Sequence, residues 1–175
     1  MINPRIEIIA GDITQCPVDA IVNAANERLS DGSGVNGAIQ RAAGPQLLAE
    51  CQSLGGCATG QAAATKAYNL PAKYVYHAVG PVWQGGSANE DALLASCYRA
   101  CYALADQHGL ASIAFPAIST GIYGFPPARA ARIAATQTRA YLEAGGALHR
   151  ILFIAFGGEA KAVLVDAFTE IFDAT

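Results

Sequence analysis

The stretch SIAFPAISTGIYGFPPARAA, residues 112–131, predicts a buried strand, a glycine-containing loop and the first turns of a helix. Its first residues are almost continuously apolar, which favours a strand that is covered on both faces. Gly121 and Gly124 allow the loop backbone to turn inward, and the Pro126-Pro127 pair suits the start of a helix. A strand, a loop and a helix in this order form the repeating unit of α/β proteins.

The same alternation of apolar runs and helical patterns continues along the whole chain. Strands are predicted at residues 5–10, 20–25, 63–68, 74–79, 112–117 and 150–156. Helices are predicted at residues 34–43, 45–54, 89–108, 127–144 and 159–172, and the sequence SANE (87–90) predicts a capping box before the third helix. We therefore expect one domain, residues 1–175, with helices on both faces of a mostly parallel sheet.

Composition excludes several classes of protein. The chain of 175 residues is 53% hydrophobic and 14% charged, as expected for a compact domain. Its formal net charge is −3 and its eleven Lys and Arg residues are scattered, which disfavours direct nucleic-acid binding. No apolar run approaches the roughly 18 residues of a membrane span, and Glu7 precedes any long apolar run. We therefore expect no membrane association and a cytoplasmic location.

The cysteines do not form a metal-binding pattern. No Cys-x-x-Cys pair is present, and none of the three histidines lies at ligand spacing from a cysteine. An odd number of cysteines without an export signal indicates reduced core residues. Cys97 and Cys101 should share the buried face of a helix. The sequence predicts no metal and no cofactor.

A second glycine loop, GSGVNG at residues 32–37, matches the pattern G-x-G-x-x-G of dinucleotide-binding oxidoreductases. In that motif the loop follows a strand directly, and an acidic residue about 20 positions later holds a ribose. Here six residues, NERLSD, separate the loop from the strand that ends near Ala25. No Asp or Glu occurs between Glu50 and Glu90. These departures argue against an oxidoreductase.

Both glycine loops nevertheless follow predicted strands, and open parallel sheets bind ligands beyond the carboxyl ends of their strands. In a chain with few basic residues, backbone N–H groups and helix N-termini would have to bind an anion. Two such loops at one sheet edge suit a diphosphate. The alternative is that each loop is an ordinary strand-to-helix turn, in which the glycines only satisfy backbone geometry.

The chain resembles the macrodomain family, and within it the MacroD-type branch that includes bacterial O-acetyl-ADP-ribose deacetylases. The likeness runs from about Arg5 to Phe172 and implies a three-layer α/β/α fold with a mostly parallel mixed sheet. It is carried by GDIT (11–14), DAIVNAAN (19–26), GVNGAI (34–39), LPAKYVYHAVGPVW (70–83) and FPAISTGIYGFP (115–126).

The resemblance implies an ADP-ribose site. Asp12 would accept a hydrogen bond from the adenine amino group, and the backbone of Ile13 would contact the base; taken alone, Asp12 could equally begin a turn or cap a helix. Phe156 would pack on adenine or belong to the core. Asn26 would bind hydroxyls of the distal ribose, with Tyr123 packed against that sugar. The diphosphate would lie between the loops, near Ser33, Gly34, Val35, Ser119, Thr120, Gly121 and Ile122.

Two further polar residues are expected to be structural. Asn23, the first Asn of VNAAN, should brace the loop from the end of its strand. His77, inside the strand YVYHAV, should be a hydrogen-bonded interior histidine.

The resemblance implies Asn26, Asn36 and Tyr123 as catalytic residues. Related hydrolases usually have Asp at the position of Asn36, where it helps to orient or activate the attacking water. An amide cannot accept a proton, and general-base assistance typically contributes about 10²–10⁴ in rate. Replacing Asn36 by Asp should therefore raise hydrolysis. The same loop departs from the usual pattern at Asp31, Ser33 and Gln40.

Two functions remain open at this point. The chain is expected to be a hydrolase that removes acetyl from O-acetyl-ADP-ribose or mono-ADP-ribose from modified proteins. Alternatively it is a weakly active or inactive ADP-ribose reader, because of Asn36. A ribonuclease-regulating protein interaction, as in related bacterial proteins, is compatible with both.

Overall fold

The computed structural model describes residues 1–174 and contains a six-stranded sheet between two layers of helices. The strands are β1 (Ile6–Ala10), β2 (Ala20–Ala24), β3 (Ala62–Lys66), β4 (Tyr74–Ala78), β5 (Ser112–Phe115) and β6 (Arg150–Ala155). The α-helices are α1 (Gly34–Ala43), α2 (Pro45–Leu54), α3 (Glu90–Gln107), α4 (Pro127–Glu143) and α5 (Gly157–Asp173). One 3₁₀ turn, Ile13–Gln15, follows β1.

The strand order is β1-β6-β5-β2-β4-β3. All neighbouring strands are parallel except β3, which runs antiparallel to β4 at the edge. The sheet is therefore mostly parallel and mixed, as expected. The carboxyl ends of β1, β6, β5, β2 and β4 share one edge of this sheet, and the loops after β2 and β5 are neighbours there.

Alternate residues of the central strands face two separate cores, because successive side chains of a strand point to opposite faces. Val22, Phe115 and Phe153 pack with α3, α4 and α5. Ile21, Ala114 and Leu152, whose side chains point to the other face, pack with α1 and α2. Burial on both faces explains why these strands are continuously apolar in sequence.

The capping-box prediction is wrong. Asn89 is the N-cap of α3, in a left-handed conformation (φ +63°), and its side chain makes no capping hydrogen bond. Glu90 instead accepts hydrogen bonds from the backbone N–H groups of Gln84, Gly86 and Ala88, at 2.6–2.9 Å. Burial opposes ionisation of Glu90, but these donors outweigh it and lower the pKa of the carboxyl to about 2. One carboxylate thus holds residues 84–88 of the loop before α3.

Three of the five cysteines, Cys51, Cys97 and Cys101, are buried as expected, whereas Cys16 and Cys57 are only partly buried. Cys97 and Cys101 lie on the buried face of α3, and burial raises the pKa of both thiols. Residues 1–174 contain no cluster of His, Cys, Asp and Glu able to hold a metal ion. In the same range, no helix is both long and apolar enough to cross a membrane.

Candidate functional site

A cavity of about 260 Å³ lies beyond the carboxyl ends of β2 and β5. Its walls are the loop before α1 and the loop between β5 and α4, which are the two glycine loops of the sequence. Nine predicted site residues contribute to the lining: Asn26, Ser33, Gly34, Val35, Asn36, Ser119, Gly121, Ile122 and Tyr123. The lining contains no Lys or Arg, so an anion here would depend on backbone and amide donors.

The first wall ends in the N-terminus of α1. Gly34 has φ +60°, a left-handed conformation that favours glycine, and the Ser33 N-cap makes no side-chain capping bond. The first turn of α1 contains no acidic residue. The first N–H groups of a helix lack intrahelical partners, and together with the helix dipole they favour an anion.

The second wall contains a strained serine. Ser119 has φ +66°, which is uncommon for a non-glycine residue and costs roughly 1–3 kcal/mol. Its hydroxyl is buried and has no hydrogen-bond partner among residues 1–174. The backbone of Ser119 accepts a hydrogen bond from Phe125 at 2.9 Å, which closes the loop. Gly124 supplies a second left-handed position (φ +72°).

Gly121 does not need to be glycine for backbone reasons. Its φ lies outside the left-handed region, and a Cβ atom built there meets nothing within 4 Å. Any requirement for glycine at this position would therefore come from a bound ligand. Ile122, next to it, is 84% exposed.

Tyr123 is held by a platform that the sequence analysis did not identify. The backbone N–H of Trp83 donates to the Tyr123 carbonyl at 2.8 Å. The Trp83 ring packs on Phe125 with centroids 4.8 Å apart, and the Arg129 guanidinium lies 5.0 Å from the Trp83 ring centroid. The loop held by Glu90 thus supports the second wall.

Asn26 braces its own loop. Its Oδ1 accepts from the Ser30 backbone N–H at 3.1 Å and from the Ser30 hydroxyl at 3.2 Å, and its Nδ2 donates to the Ser30 carbonyl at 3.3 Å. Asn26 and Tyr123 also line a neighbouring pocket of about 360 Å³ on the side of Arg28 and Thr59. These two side chains therefore lie between two pockets.

Asn36 is buried, and both ends of its amide have partners. Its Oδ1 accepts from Asn23 Nδ2 at 2.9 Å, and its Nδ2 donates to the Ser30 carbonyl at 3.0 Å. In the Asn36→Asp variant, a carboxylate in the same orientation would place a second acceptor where the NH₂ group now lies, 3.0 Å from that carbonyl oxygen. The expected gain from this substitution therefore requires the new carboxylate to turn away from Ser30, and we expect it to be smaller than the sequence suggested.

Four of the predicted residues lie outside this lining: Asp12, Ile13, Thr120 and Phe156. Asp12 caps the 3₁₀ turn, because its Oδ1 accepts from the Thr14 backbone N–H at 2.9 Å and from the Thr14 hydroxyl at 2.7 Å. Its second oxygen makes no hydrogen bond within residues 1–174. Ile13 is buried. The hydroxyl of Thr120 donates to the Ala117 carbonyl at 2.8 Å.

A core role for Phe156 is excluded. Its side chain is 74% exposed, because the chain leaves the sheet after Ala155 and turns into α5. The Gly11 N–H donates to the Ala155 carbonyl at 3.0 Å, so the chain segments carrying Asp12 and Phe156 leave adjacent strand ends.

The sequence profile of the Macro domain family matches residues 22–134. This chain belongs to that family. A Macro domain-containing protein of Methanosarcina mazei is 60% identical over 139 residues, which cover 79% of this chain and 74% of that protein. The O-acetyl-ADP-ribose deacetylase of Enterobacter cloacae is 49% identical over 160 residues, 89% of each chain.

Solved structures of other macrodomains superpose on nearly the whole chain. The Oceanobacillus iheyensis macrodomain with ADP has a TM-score of 0.95 at 34% identity and covers 100% of this chain and 97% of its own. The Trypanosoma brucei macrodomain in complex with ADP-ribose has a TM-score of 0.88 at 45% identity and covers 93% and 68%. The macrodomain fold implied by the sequence motifs is thereby confirmed.

Three residues that support this macrodomain site, Gly80, Trp83 and Glu90, were not predicted from the sequence. None of them lines the main cavity. Trp83 and Glu90 hold the second wall through the contacts described above, and Gly80 packs against Ser119 with no room for a side chain. A signal was present, since GPVW is part of the motif at residues 70–83 and Glu90 is the first acidic residue after Glu50. Neither observation tells which residues Trp83 or Glu90 contacts, because those contacts are visible only in the folded structure.

Proposed function

We propose that this macrodomain binds ADP-ribose, with the diphosphate between the two glycine loops and the distal ribose beside Asn26, Asn36 and Tyr123. One observation carries the proposal: two loops from the adjacent strands β2 and β5 enclose one cavity. This cavity offers a helix N-terminus on one side and the unpartnered Ser119 hydroxyl on the other. Such donors suit an anion, although the lining contains no basic side chain.

The adenine end would lie at the adjacent ends of β1 and β6. The free oxygen of Asp12 suits the amino group of the base, and the backbone of Ile13 would add a second contact. The Phe156 ring is exposed and therefore free to stack on the purine. The solved macrodomains with ADP and ADP-ribose support this assignment by their similarity.

We further propose that the protein is a hydrolase that converts O-acetyl-ADP-ribose and water into acetate and ADP-ribose. Support comes from two relatives named O-acetyl-ADP-ribose deacetylase, each 49% identical in sequence over 89% of this chain. Asn36 would orient the water by hydrogen bonding. The proton would leave the water toward a phosphate oxygen of the substrate, because the amide cannot accept it. Removal of mono-ADP-ribose from modified proteins would use the same contacts.

The second candidate is an ADP-ribose reader with little or no turnover. One observation favours it: both ends of the Asn36 amide are already hydrogen-bonded to the protein. Incubation with O-acetyl-ADP-ribose, and separately with a mono-ADP-ribosylated protein, separates the two candidates. Release of acetate or ADP-ribose identifies the hydrolase. Binding of ADP-ribose without release of either product identifies the reader.

A further inference from the structure

A chain of buried hydrogen bonds runs from Asn36 into the sheet. Asn23 Nδ2 lies 2.9 Å from Asn36 Oδ1 and 3.1 Å from His77 Nδ1, so that its two hydrogens serve two acceptors. Asn23 and His77 are cross-strand partners in the β2–β4 pair, which explains their contact. Both are fully buried, at 0% and 1% exposure.

The chain continues from His77 to the edge strand. His77 Nε2 lies 2.9 Å from Thr65 Oγ1 on β3, and the Thr65 hydroxyl lies 3.0 Å from the carbonyl oxygen of Lys66. Burial lowers the pKa of His77 to about 4, so the ring is neutral near pH 7. A neutral imidazole has one donor nitrogen and one acceptor nitrogen.

The direction of every bond follows from the backbone carbonyl at its end. The Lys66 carbonyl can only accept, so the Thr65 hydroxyl donates to it and accepts from His77 Nε2–H. Cys51 Sγ lies 3.6 Å from the same nitrogen and is a second, weaker acceptor for that hydrogen. His77 Nδ1 is then the acceptor nitrogen, which requires the NH₂ group of Asn23 to face it. The second hydrogen of the Asn23 NH₂ group is donated to Asn36, so Asn36 must present its Oδ1 atom to Asn23. The NH₂ of Asn36 consequently faces the Ser30 carbonyl, the acceptor at the other end of the chain.

We infer that Thr65, His77 and Asn23 are positioning residues that fix the orientation of the Asn36 amide at the distal-ribose end of the cavity. The functional consequence rests on the proposed function: a fixed Asn36 amide orients the water or the distal ribose in one way only. If the chain is broken at His77, the Asn23 amide loses the acceptor that orients it, and the bond to the Ser30 carbonyl is then the only fixed contact of the Asn36 amide.

The experiment compares His77→Leu, which removes the acceptor, with His77→Asn, whose Oδ1 replaces Nδ1 as an acceptor. A matched control is Thr138→Val, which removes another buried polar contact, the 2.7 Å bond between Thr138 and Tyr102 in the opposite core. Single-turnover hydrolysis of O-acetyl-ADP-ribose and the melting temperature are measured for each protein. ADP, which lacks the distal ribose, serves as a binding probe that does not reach Asn36.

His77→Leu should slow hydrolysis by about ten- to a hundredfold, the effect of misplacing a reacting group by about 1 Å. His77→Asn should recover most of that loss, Thr138→Val should lower only the melting temperature, and ADP affinity should stay unchanged in all three. Equal slowing by Thr138→Val, or no recovery with His77→Asn, would overturn the inference. In a parent without turnover, the same pattern should appear in ADP-ribose affinity relative to ADP.

A spectroscopic measurement tests the inference independently of any ligand. The side-chain ¹⁵N spectrum of the parent should show His77 protonated on Nε2 and unprotonated on Nδ1 near pH 7. The Asn36 side-chain NH₂ protons, which keep their bond to the Ser30 carbonyl in every variant, should exchange faster in His77→Leu than in the parent and in His77→Asn. Protonation on Nδ1, or equal exchange in all three proteins, would contradict it even if ADP-ribose does not bind.

Discussion

Gly80 lies against Ser119 so closely that any Cβ atom at position 80 would overlap the Ser119 hydroxyl oxygen. The same atom would lie 2.7 Å from Cγ2 of Ile118. Ser119 has a left-handed backbone and an unpartnered hydroxyl at the cavity. The conformation of the second wall thus depends on a glycine after β4, in a segment remote in sequence.

Gly80→Ala should therefore displace Ser119 and weaken ADP-ribose binding. We expect a loss of about 1–3 kcal/mol in the free energy of unfolding, as for other overpacked sites, and at least a tenfold loss of affinity. Calorimetry with ADP-ribose and urea unfolding measure the two effects. Gly158→Ala is the matched control, because a Cβ atom there meets nothing within 4 Å. Unchanged affinity in Gly80→Ala would remove Ser119 from the binding site.

Gly121→Glu should abolish ADP-ribose binding without unfolding the protein. The structure leaves open space around a Cβ atom at this position, so the substitution should cost little stability. The added carboxylate would lie at the cavity wall and repel a diphosphate. Binding is measured by calorimetry and folding by circular dichroism. Ala103→Glu places the same charge on the exposed face of α3, away from the cavity, and should bind normally. Normal binding by Gly121→Glu would exclude this loop from the binding site.

Asp12→Ala should weaken ADP-ribose binding by about ten- to a hundredfold, since a hydrogen bond to a charged group contributes roughly 1.5–3 kcal/mol. Ribose 5-phosphate lacks adenine, so its affinity should hardly change. The variant also loses the cap on Thr14, which should reduce stability by about 1 kcal/mol. Thr14→Val removes the hydroxyl bond to Asp12 and keeps the backbone bond, so it measures how much of the stability loss comes from the hydroxyl. An equal loss for both ligands in Asp12→Ala would mean that the residue is structural.

His77 should make the stability of the protein depend on pH. The unfolded chain binds a proton at this histidine near pH 6.5, whereas burial lowers the pKa in the folded chain to about 4. Stability from this source is complete above about pH 6.5 and falls as the pH drops toward 4, by about 1.4 kcal/mol per pH unit. Urea unfolding of the parent and of His77→Asn between about pH 7 and pH 5 measures it. If the free energy of unfolding changed with pH to the same extent in both proteins, the lowered pKa of His77 would be refuted.

Much of the fold follows from local sequence. The Gly and Pro residues around α1 and α2 end and begin those helices at the predicted positions, Gly34–Ala43 and Pro45–Leu54. Continuous apolar runs located the central strands because these are buried on both faces. The prediction failed at the start of α3, where Glu90 binds backbone N–H groups of the preceding loop and leaves Asn89 as an uncapped N-cap. Which groups Glu90 binds depends on how the loop before α3 folds over Trp83, and this is not visible in the local sequence.

The motifs located most of the cavity lining, but not what supports it. Asn23 and His77 are 54 positions apart and meet only because β2 pairs with β4 in one particular register. Gly80 follows β4 and Ser119 follows β5, so their contact likewise depends on the order of the strands in the sheet. The sequence likewise left the exposure of Phe156 undecided, since it depends on where the chain leaves β6. Contacts between strand ends need the sheet order, which local patterns do not contain.

Whether the cavity binds ADP-ribose and supports hydrolysis is measured by a calorimetric titration with ADP-ribose in the presence of a metal chelator, followed by incubation with O-acetyl-ADP-ribose. We expect one ADP-ribose to bind in the micromolar range, about −8 kcal/mol, with no effect of the chelator, and acetate to be released from O-acetyl-ADP-ribose. Binding without acetate release would leave the reader as the function. No heat at millimolar ADP-ribose would show that the cavity between the two glycine loops does not bind this ligand.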